Sequence, residues 1–284
     1  MSGKTCPAGI DIAMILIDPQ TGRKQHTDDS FASSLARAVN RQELLLHYQP
    51  RYDMTSGQTV TLEALVRWQR PGVGLLYPET FLHEAEQHGL IFQLDLWVFE
   101  QCCRDLAWIH EHCGEHINLA VNISVLSCES VYVSQKLIEL CAQYDVPLSS
   151  FIIDITVNTH AHDIRKLKAF CETLGQYGAR FCLDDFGTGQ SPLSNLYHLP
   201  VDCLIIDRVF VNGIGHSARS ETLIQHQVQL AHALGMQVIA EGVENLYQCK
   251  FLVDNGCDEL QGHFMNKPVE KERLSTELSS PNVA

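Results

Sequence analysis

The sequence has few basic residues and no long apolar run. Lys and Arg number 20 against 34 Asp and Glu, which gives the 284-residue chain a formal net charge of −14. Such a charge repels the phosphates of nucleic acids and anionic lipids, so we expect neither a nucleic-acid polymer nor a membrane surface as a partner. The apolar stretch Ile12–Ile17 is too short to span a bilayer and follows no basic segment, which makes it a poor signal peptide.

The eleven cysteines include no C-x-x-C pair. Their number is odd, and several lie inside apolar runs, as Cys182 does in Ala179–Leu183. Buried reduced thiols are therefore expected rather than a disulfide framework or a zinc site. A composition of 45% hydrophobic and 19% charged residues is typical of globular proteins and excludes wholesale disorder. Together these features predict a soluble, cytoplasmic protein.

Short apolar runs alternate with longer segments of helical spacing from about residue 115 onward. Such runs are typical of strands that are covered on both faces, as in parallel sheets. Two earlier runs, Leu44–Gln49 and Thr59–Trp68, flank the turn Asp53–Gly57 and predict an antiparallel pair. The later predicted strands are Ile117–Ile123, Phe151–Ile155, Arg180–Leu183, Cys203–Ile206, Gln237–Ala240 and Asp258–Leu260.

Amphipathic segments lie between these runs. Gln93–Ile109 and Ser220–Leu234 are predicted to be helices, and the second ends at Gly235, a typical C-cap residue. Strands that alternate with helices predict an α/β protein, and its natural closure is a (β/α)8-like barrel. An open doubly wound sheet is the alternative, because periodicity does not show closure. The predicted buried faces are Leu94, Val98, Cys102, Leu106 and Ile109 in the first helix, and Leu223, Ile224, Val228, Leu230, Ala231 and Leu234 in the second.

Residues with side-chain oxygen atoms lie where the predicted strands end, which is where barrels of this type collect their function. Carboxylates that converge on one barrel mouth repel one another unless they are protonated or neutralised. Mg2+ or Mn2+ would neutralise them, since both prefer carboxylate, amide and water ligands. Paired metals of this kind suit phosphodiester hydrolysis. The residues are Glu63, Asn122, Asp154, Asp184, Asp185, Asp207 and Glu241.

These residues belong to an ordered series of short motifs, which resembles the EAL domain family. The resemblance covers roughly residues 34–275, with 1–33 as an N-terminal extension or linker remnant and 276–284 as a tail. It implies a modified TIM (β/α)8 barrel with one antiparallel strand. It also implies cyclic di-GMP as the ligand, which active members cleave to linear pGpG with Mg2+ or Mn2+. The motifs are Tyr48-Gln49-Pro50, Glu63-Ala64-Leu65 with Arg67, Val121–Ser124, Asp184–Gly189, Ile206–Arg208, Ala240–Glu244 and Gln261-Gly262 with Pro268.

The resemblance also implies roles for individual residues. Glu63, Asp185 and Glu241 would serve catalysis. Arg67 would bind a ligand phosphate, a role that suits the forked donors of a guanidinium. The remaining expected ligand contacts are Leu65, Gln49, Gln261 and Glu244, and the expected metal ligands are Glu63, Asn122, Asp154, Asp184, Asp185 and Glu241.

Three departures from the family pattern predict weak or lost hydrolysis. Asp154 is one methylene shorter than the family's glutamate, and Val157 replaces a glutamate that steadies the loop after the fifth strand. Ile205 replaces a lysine placed near the metal-bound water and the scissile phosphate. Losing one preorganised donor at a transition state costs roughly 10²–10³ in rate. The other interpretation of Ile205 is an aliphatic residue in the barrel core, with the cation supplied from elsewhere.

The sequence therefore predicts a cyclic di-GMP receptor or signalling module with weak or lost hydrolysis. An active phosphodiesterase and a ligand-free protein-interaction domain are the alternatives. Asp11–Met14 faintly resembles the end of a GGDEF domain, which leaves an upstream GGDEF or sensor domain open. A homodimer stays open as well, and nothing in the sequence identifies an effector protein.

Overall fold

The computed structural model describes residues 31–156, 163–184, 186–187 and 193–278. The predicted strands are present at nearly the expected bounds, and Gly74–Leu76 forms an additional short strand. The strands are β1 Leu44–Asp53, β2 Thr59–Arg70, β3 Gly74–Leu76, β4 Asn118–Ser124, β5 Phe151–Thr156, β6 Arg180–Asp184, β7 Cys203–Ile206, β8 Gln237–Ala240 and β9 Glu259–Leu260.

Helices follow most of the strands. Side-chain caps fix several of their first turns, as where Asp163 accepts a hydrogen bond from the Arg165 amide at 3.1 Å. The helices are α1 Phe31–Asn40, α2 Leu82–Gln87, α3 Ile91–Cys113, α4 Val125–Cys128, α5 Val131–Tyr144, α6 Ile164–Gly175, α7 Leu193–His198, α8 Arg208–Val211, α9 Ala218–Ala233, α10 Leu246–Asp254 and α11 Leu274–Leu278.

The sheet closes on itself. Strands β2, β4, β5, β6, β7, β8 and β9 are neighbours in that order and run parallel. β1 closes the ring, because it pairs antiparallel with β2 on one side and with β9 on the other. The predicted modified TIM barrel with one antiparallel strand in its ring is confirmed, and the open doubly wound alternative is wrong. β3 extends β2 outside the ring as a short hairpin strand.

Two layers of apolar residues surround the strands. The larger lies between the barrel wall and the helices and includes all five residues predicted for the buried face of α3. The smaller is formed by side chains that alternate along the strands with those of the first, so it fills the barrel interior. Its members are Ala120, Ile152, Cys182, Cys203, Ile205 and Ile239.

The predicted buried face of α9 is wrong at two positions. Leu223 and Leu234 are 41% and 50% exposed. Gln227 is buried instead, and its Nε2 donates to the Phe186 carbonyl at 3.1 Å. The buried residues of this helix are Ile224, Gln227, Val228 and Ala231, and Leu223 lies outside this stripe.

The described residues include ten of the eleven cysteines and the helices named above. The ten cysteines of the described residues are free thiols. Within the same residues, none of the helices combines the length and the apolar character needed to cross a membrane.

Candidate functional site

A cleft of ≈ 630 Å³ opens at the rim where the parallel strands have their carboxyl ends. Its floor is polar, and its walls come from β1, β2 and the segments that follow β7, β8 and β9. Every residue predicted to contact the ligand lines this cleft, together with two of the predicted metal ligands. These residues are Gln49, Glu63, Leu65, Arg67, Glu241, Glu244 and Gln261.

A buried guanidinium group lies among the carboxylates beneath the cleft. Arg51, on the inward side of β1, is 0% exposed. Its Nη2 donates to Asp154 Oδ2 at 2.7 Å and to Glu241 Oε1 at 3.0 Å. The same nitrogen lies 3.8 Å from Glu63 Oε2, and Nε donates to Gln261 Oε1 at 2.7 Å. Arg51 therefore joins side chains from β2, β5 and the segments after β8 and β9.

Amide groups hold the carboxylate of Glu63. Asn122 Nδ2 donates to one of its oxygens at 2.7 Å, and Gln261 Nε2 donates to the other at 2.5 Å. Gln261 Nε2 also donates to Gln49 Oε1 at 3.0 Å, and Gln49 Nε2 donates to the Asn266 carbonyl at 3.0 Å. The carboxylate of Glu63 is thus held by side chains on two segments of the barrel, β4 and the segment after β9. The predicted convergence of Glu63, Asn122, Asp154 and Glu241 at one end of the barrel is observed.

Electrostatics around Arg51 follow from its burial. Burial raises the pKa of Glu241 well above its ordinary value, and the charges of Glu63 and Asp184 add to the effect while Arg51 opposes it. Burial also raises the pKa of Asp154, against the opposing charge of Arg51. Burial by itself lowers the pKa of Arg51, but the carboxylates around it outweigh that and raise the pKa well above its ordinary value. The guanidinium is therefore charged at any physiological pH.

Arg67 lines the cleft and is only partly hydrogen-bonded within the protein. It is 5% exposed, its Nη1 donates to the Val66 carbonyl at 2.8 Å, and its guanidinium lies 4.9 Å from the centre of the Tyr77 ring. Its buried Nε has no hydrogen-bond partner. Burial, and next the charge of Arg67, lower the pKa of the neighbouring His47. A guanidinium that lines a cleft in this way is a suitable partner for an anionic group of a ligand.

The remaining predicted positions lie around this centre. Asp184 ends β6 and accepts a hydrogen bond from the Thr156 hydroxyl at 3.2 Å. Ile205 is 1% exposed within the apolar interior cluster, directly opposite Ile239. Asp207 lines the cleft and caps α8, accepting from the Val209 amide at 2.8 Å. The predicted residues Asp185 and Val157 lie outside the described residues.

Arg51 was missed by reasoning from the sequence. The signal was present, because a basic residue two positions after Gln49 lies on the same face of a strand and must point into the barrel. A β-bulge between Arg51 and Tyr52 interrupts the register with β2 at this point. Bulges commonly re-aim a side chain near a functional site.

The described donors do not fit the divalent cation expected from the sequence. Mg2+ would have to lie about 2.0–2.1 Å from oxygen atoms of Asp154 and Glu241. Nη2 of Arg51 already lies between these two carboxylates, 2.7 Å from Asp154 and 3.0 Å from Glu241. Within the residues that the structure describes, no group of three or more His, Cys, Asp or Glu side chains is arranged to hold a metal ion.

A second hollow of ≈ 740 Å³ adjoins the site between β2, β4 and α3. Asp95 of α3 lies in its wall, is 6% exposed, and accepts from the Ser124 amide at 3.0 Å. Burial raises the pKa of Asp95 to about 7. No basic side chain of the described residues lies within ion-pair distance of it, which distinguishes Asp95 from Asp154.

Comparisons with known proteins identify the relatives of this chain. Two similar curated proteins are MucR of Pseudomonas aeruginosa, a bifunctional diguanylate cyclase/cyclic di-GMP phosphodiesterase, and the cyclic di-GMP phosphodiesterase PdeR of Escherichia coli. MucR is 35% identical over 243 residues and PdeR is 35% identical over 237 residues. Each match covers 84% of this chain, but only 35% of MucR and 36% of PdeR. The chain thus spans about a third of the length of these relatives.

Solved structures agree with the fold. The MucR phosphodiesterase in complex with cyclic di-GMP superposes with a TM-score of 0.80 at 34% identity, over 85% of this chain and 98% of that one. The EAL enzyme Bd1971, bound to cAMP and cyclic di-GMP, gives a TM-score of 0.81 at 26% identity, over 87% of this chain and 68% of that one. The family model of the EAL domain matches residues 32–268 of this sequence. The chain belongs to the EAL domain family.

Proposed function

We propose that this domain binds cyclic di-GMP as a second-messenger receptor and hydrolyses it weakly or not at all. The observation that carries the binding proposal is Arg67, whose guanidinium lines a cleft large enough for a nucleotide. The protein is strongly acidic overall, so a cation held in the cleft is needed to attract a phosphate. The similar MucR phosphodiesterase has been solved in complex with cyclic di-GMP, which supports the same ligand for this domain.

Side chains suited to the rest of a nucleotide surround Arg67. Tyr77 stacks under its guanidinium and shares the cleft with Leu65, which gives flat and apolar surfaces for a base or sugar. Gln49, Gln261 and Glu244 add amide and carboxylate groups that can meet polar edges. A cytoplasmic location belongs to this proposal, since cyclic di-GMP is an intracellular messenger.

Weak or lost hydrolysis is proposed from the interior of the barrel. EAL phosphodiesterases generally depend on divalent metal ions. Here the described carboxylates are already paired within the protein, so Mg2+ or Mn2+ is expected to bind weakly. Ile205 places an aliphatic side chain among Ile239 and Cys203 where the family pattern has a lysine. Neither charge nor a hydrogen bond can come from that position.

An active phosphodiesterase is the second candidate. It is favoured by the names of MucR and PdeR and by the presence of Glu63 and Glu241 in the cleft. Both candidates require ligand binding and differ only in what happens afterwards.

Calorimetry with cyclic di-GMP, followed by chromatography of the same sample for pGpG, separates the candidates. We expect saturable binding and little or no pGpG with either Mg2+ or Mn2+. Turnover near ~10 per second, a typical enzyme median, would establish the second candidate. Absence of binding under every condition would remove both and leave a protein-interaction domain.

A further inference from the structure

We propose that Arg51 is a built-in counter-cation that takes the place of a divalent metal among the carboxylates, so that the site is ordered and receptive without metal. The expectation of low metal affinity does not depend on the proposed function. The expectation that the site binds its ligand without metal rests on the proposed function. Asp154, Glu241 and Glu63 all lie within 3.8 Å of one nitrogen of this side chain.

The first argument is geometric. A cation that joined these carboxylates would have to lie between them, and the guanidinium of Arg51 occupies that space. Its Nη2 is 2.7 Å from Asp154 and 3.0 Å from Glu241, which are ordinary lengths for charged hydrogen bonds. A metal ion could bind there only after the guanidinium had moved away.

The second argument concerns how firmly Arg51 is held. Its side chain is 0% exposed, and its Nε is anchored by Gln261 at 2.7 Å. Gln261 in turn donates to Glu63, so the acceptors that fix Arg51 are themselves fixed. Removal of Arg51 from this position would leave several buried polar groups without partners, and that opposes displacement.

The third argument concerns charge. Three carboxylates meet at this end of the barrel, and no other basic side chain of the described residues lies within ion-pair distance of them. Position 205 contributes an isoleucine to the apolar interior. The positive charge beside these three carboxylates is thus supplied from β1. An arginine suits this task better than a lysine, because its planar fork can serve several acceptors at once.

The chain departs from a metal-holding arrangement in a consistent way. The residue at 154 is an aspartate, and its carboxylate meets the guanidinium of Arg51 at 2.7 Å. The β-bulge next to Arg51 alters the local register of β1 against β2. Both features lie beside the side chain that takes the place of the metal.

The decisive experiment measures metal and ligand separately. The first measurement titrates Mn2+ into ligand-free parent and into Arg51→Met, a neutral side chain of similar length, with electron paramagnetic resonance as the readout. Arg70→Met on β2, whose guanidinium packs over Phe31 and Trp68, is the matched control. We expect weak Mn2+ binding by the parent and the control, and an affinity at least about tenfold higher in Arg51→Met. Equal Mn2+ affinity in parent and Arg51→Met would overturn the proposal.

The second measurement compares cyclic di-GMP affinity in the parent with excess chelator and with Mg2+. We expect the two affinities to agree within about twofold, and a parent that binds only with metal would contradict the proposal. Because this measurement uses the parent, it decides even if Arg51→Met fails to fold. If the parent binds no cyclic di-GMP in either condition, the proposed function fails, while the Mn2+ titration still decides the role of Arg51.

Discussion

Two buried arginines on neighbouring strands of this barrel have opposite surroundings. Arg51 on β1 is in contact with carboxylates from three segments, whereas Arg67 on β2 touches a carbonyl and a tyrosine ring and keeps one donor open. The first guanidinium neutralises charge that belongs to the protein. The second is proposed to neutralise charge that arrives with a ligand. The partners that a buried guanidinium has or lacks within the protein therefore indicate its role.

Removing Arg51 is expected to have the largest effect. Arg51→Ala leaves the buried Asp154 and Glu63 and the partly buried Glu241 without their counter-charge, which costs about 3–5 kcal/mol in the free energy of unfolding. Urea denaturation followed by circular dichroism measures it. Arg70→Ala is the control and should lose less than about 1 kcal/mol. An Arg51→Ala protein as stable as the control would show that the carboxylates are neutralised by protons instead.

Asp95 sharpens the comparison, because it is a buried carboxyl without a cation. Its pKa is raised to about 7, so the folded state holds a proton that the unfolded state releases near pH 4. This contribution to stability is fully present below pH 4 and is lost as pH rises through 7. Asp95→Asn removes the loss, and we expect the stability of the variant relative to the parent to increase by about 2–3 kcal/mol between pH 5 and pH 8.

Thermal or urea unfolding at several pH values tests the Asp95 prediction. Asp163→Asn is a suitable control, since Asp163 caps α6 at the surface and its pKa is lowered by the hydrogen bond from Arg165. A parallel pH dependence in parent and Asp95→Asn would mean that Asp95 is ionised throughout.

Removing Arg67 should affect the ligand more than the fold. Arg67→Ala is expected to weaken cyclic di-GMP binding by roughly 1.5–3 kcal/mol, the scale of a hydrogen bond to a charged group. Calorimetry measures it, with Arg70→Ala from the same strand as the control outside the cleft. Unchanged affinity in Arg67→Ala would remove the phosphate role given to this residue.

The smallest effect is expected from restoring a single cation inside the barrel. Ile205→Lys alone should add little turnover, because Arg51 still occupies the carboxylates and the other departures remain. The variant that combines Ile205→Lys, Val157→Glu and Asp154→Glu with Arg51→Met should produce measurable pGpG by chromatography. Substantial pGpG from Ile205→Lys alone would show that one missing charge is the main defect.

The barrel could be predicted from the sequence because each strand has a recognisable local pattern of apolar residues. Runs such as Cys203–Ile206 are apolar enough to be covered on both faces, and their bounds agree with the structure. The polar residues at the strand ends then follow from topology, since parallel strands end at one rim. Glu63, Asn122, Asp154 and Glu241 were placed together in this way.

The electrostatic partners could not be predicted by the same reasoning. Arg51 meets Asp154 across 103 positions and Glu241 across 190, and no local pattern encodes which acid receives which base. The metal was inferred from repulsion among carboxylates, and the structure shows a guanidinium meeting that need. The face of α9 was misjudged for a related reason, since the buried Gln227 donates to the Phe186 carbonyl, which is 41 positions away in the sequence.

The long sequence separations around Arg51 have a consequence for how the chain folds. β1 is synthesised before β5 and β8. The guanidinium of Arg51 can bind Asp154 and Glu241 only when β5 and the segment after β8 have joined the ring. Contacts of such separation form late, after loop closure has been achieved. Until then the arginine remains hydrated, and a barrel that closes out of register would bury it unpaired. We expect loss of these late contacts to accelerate unfolding while leaving the refolding rate nearly unchanged. Arg51 would then stabilise the closed ring after it has formed.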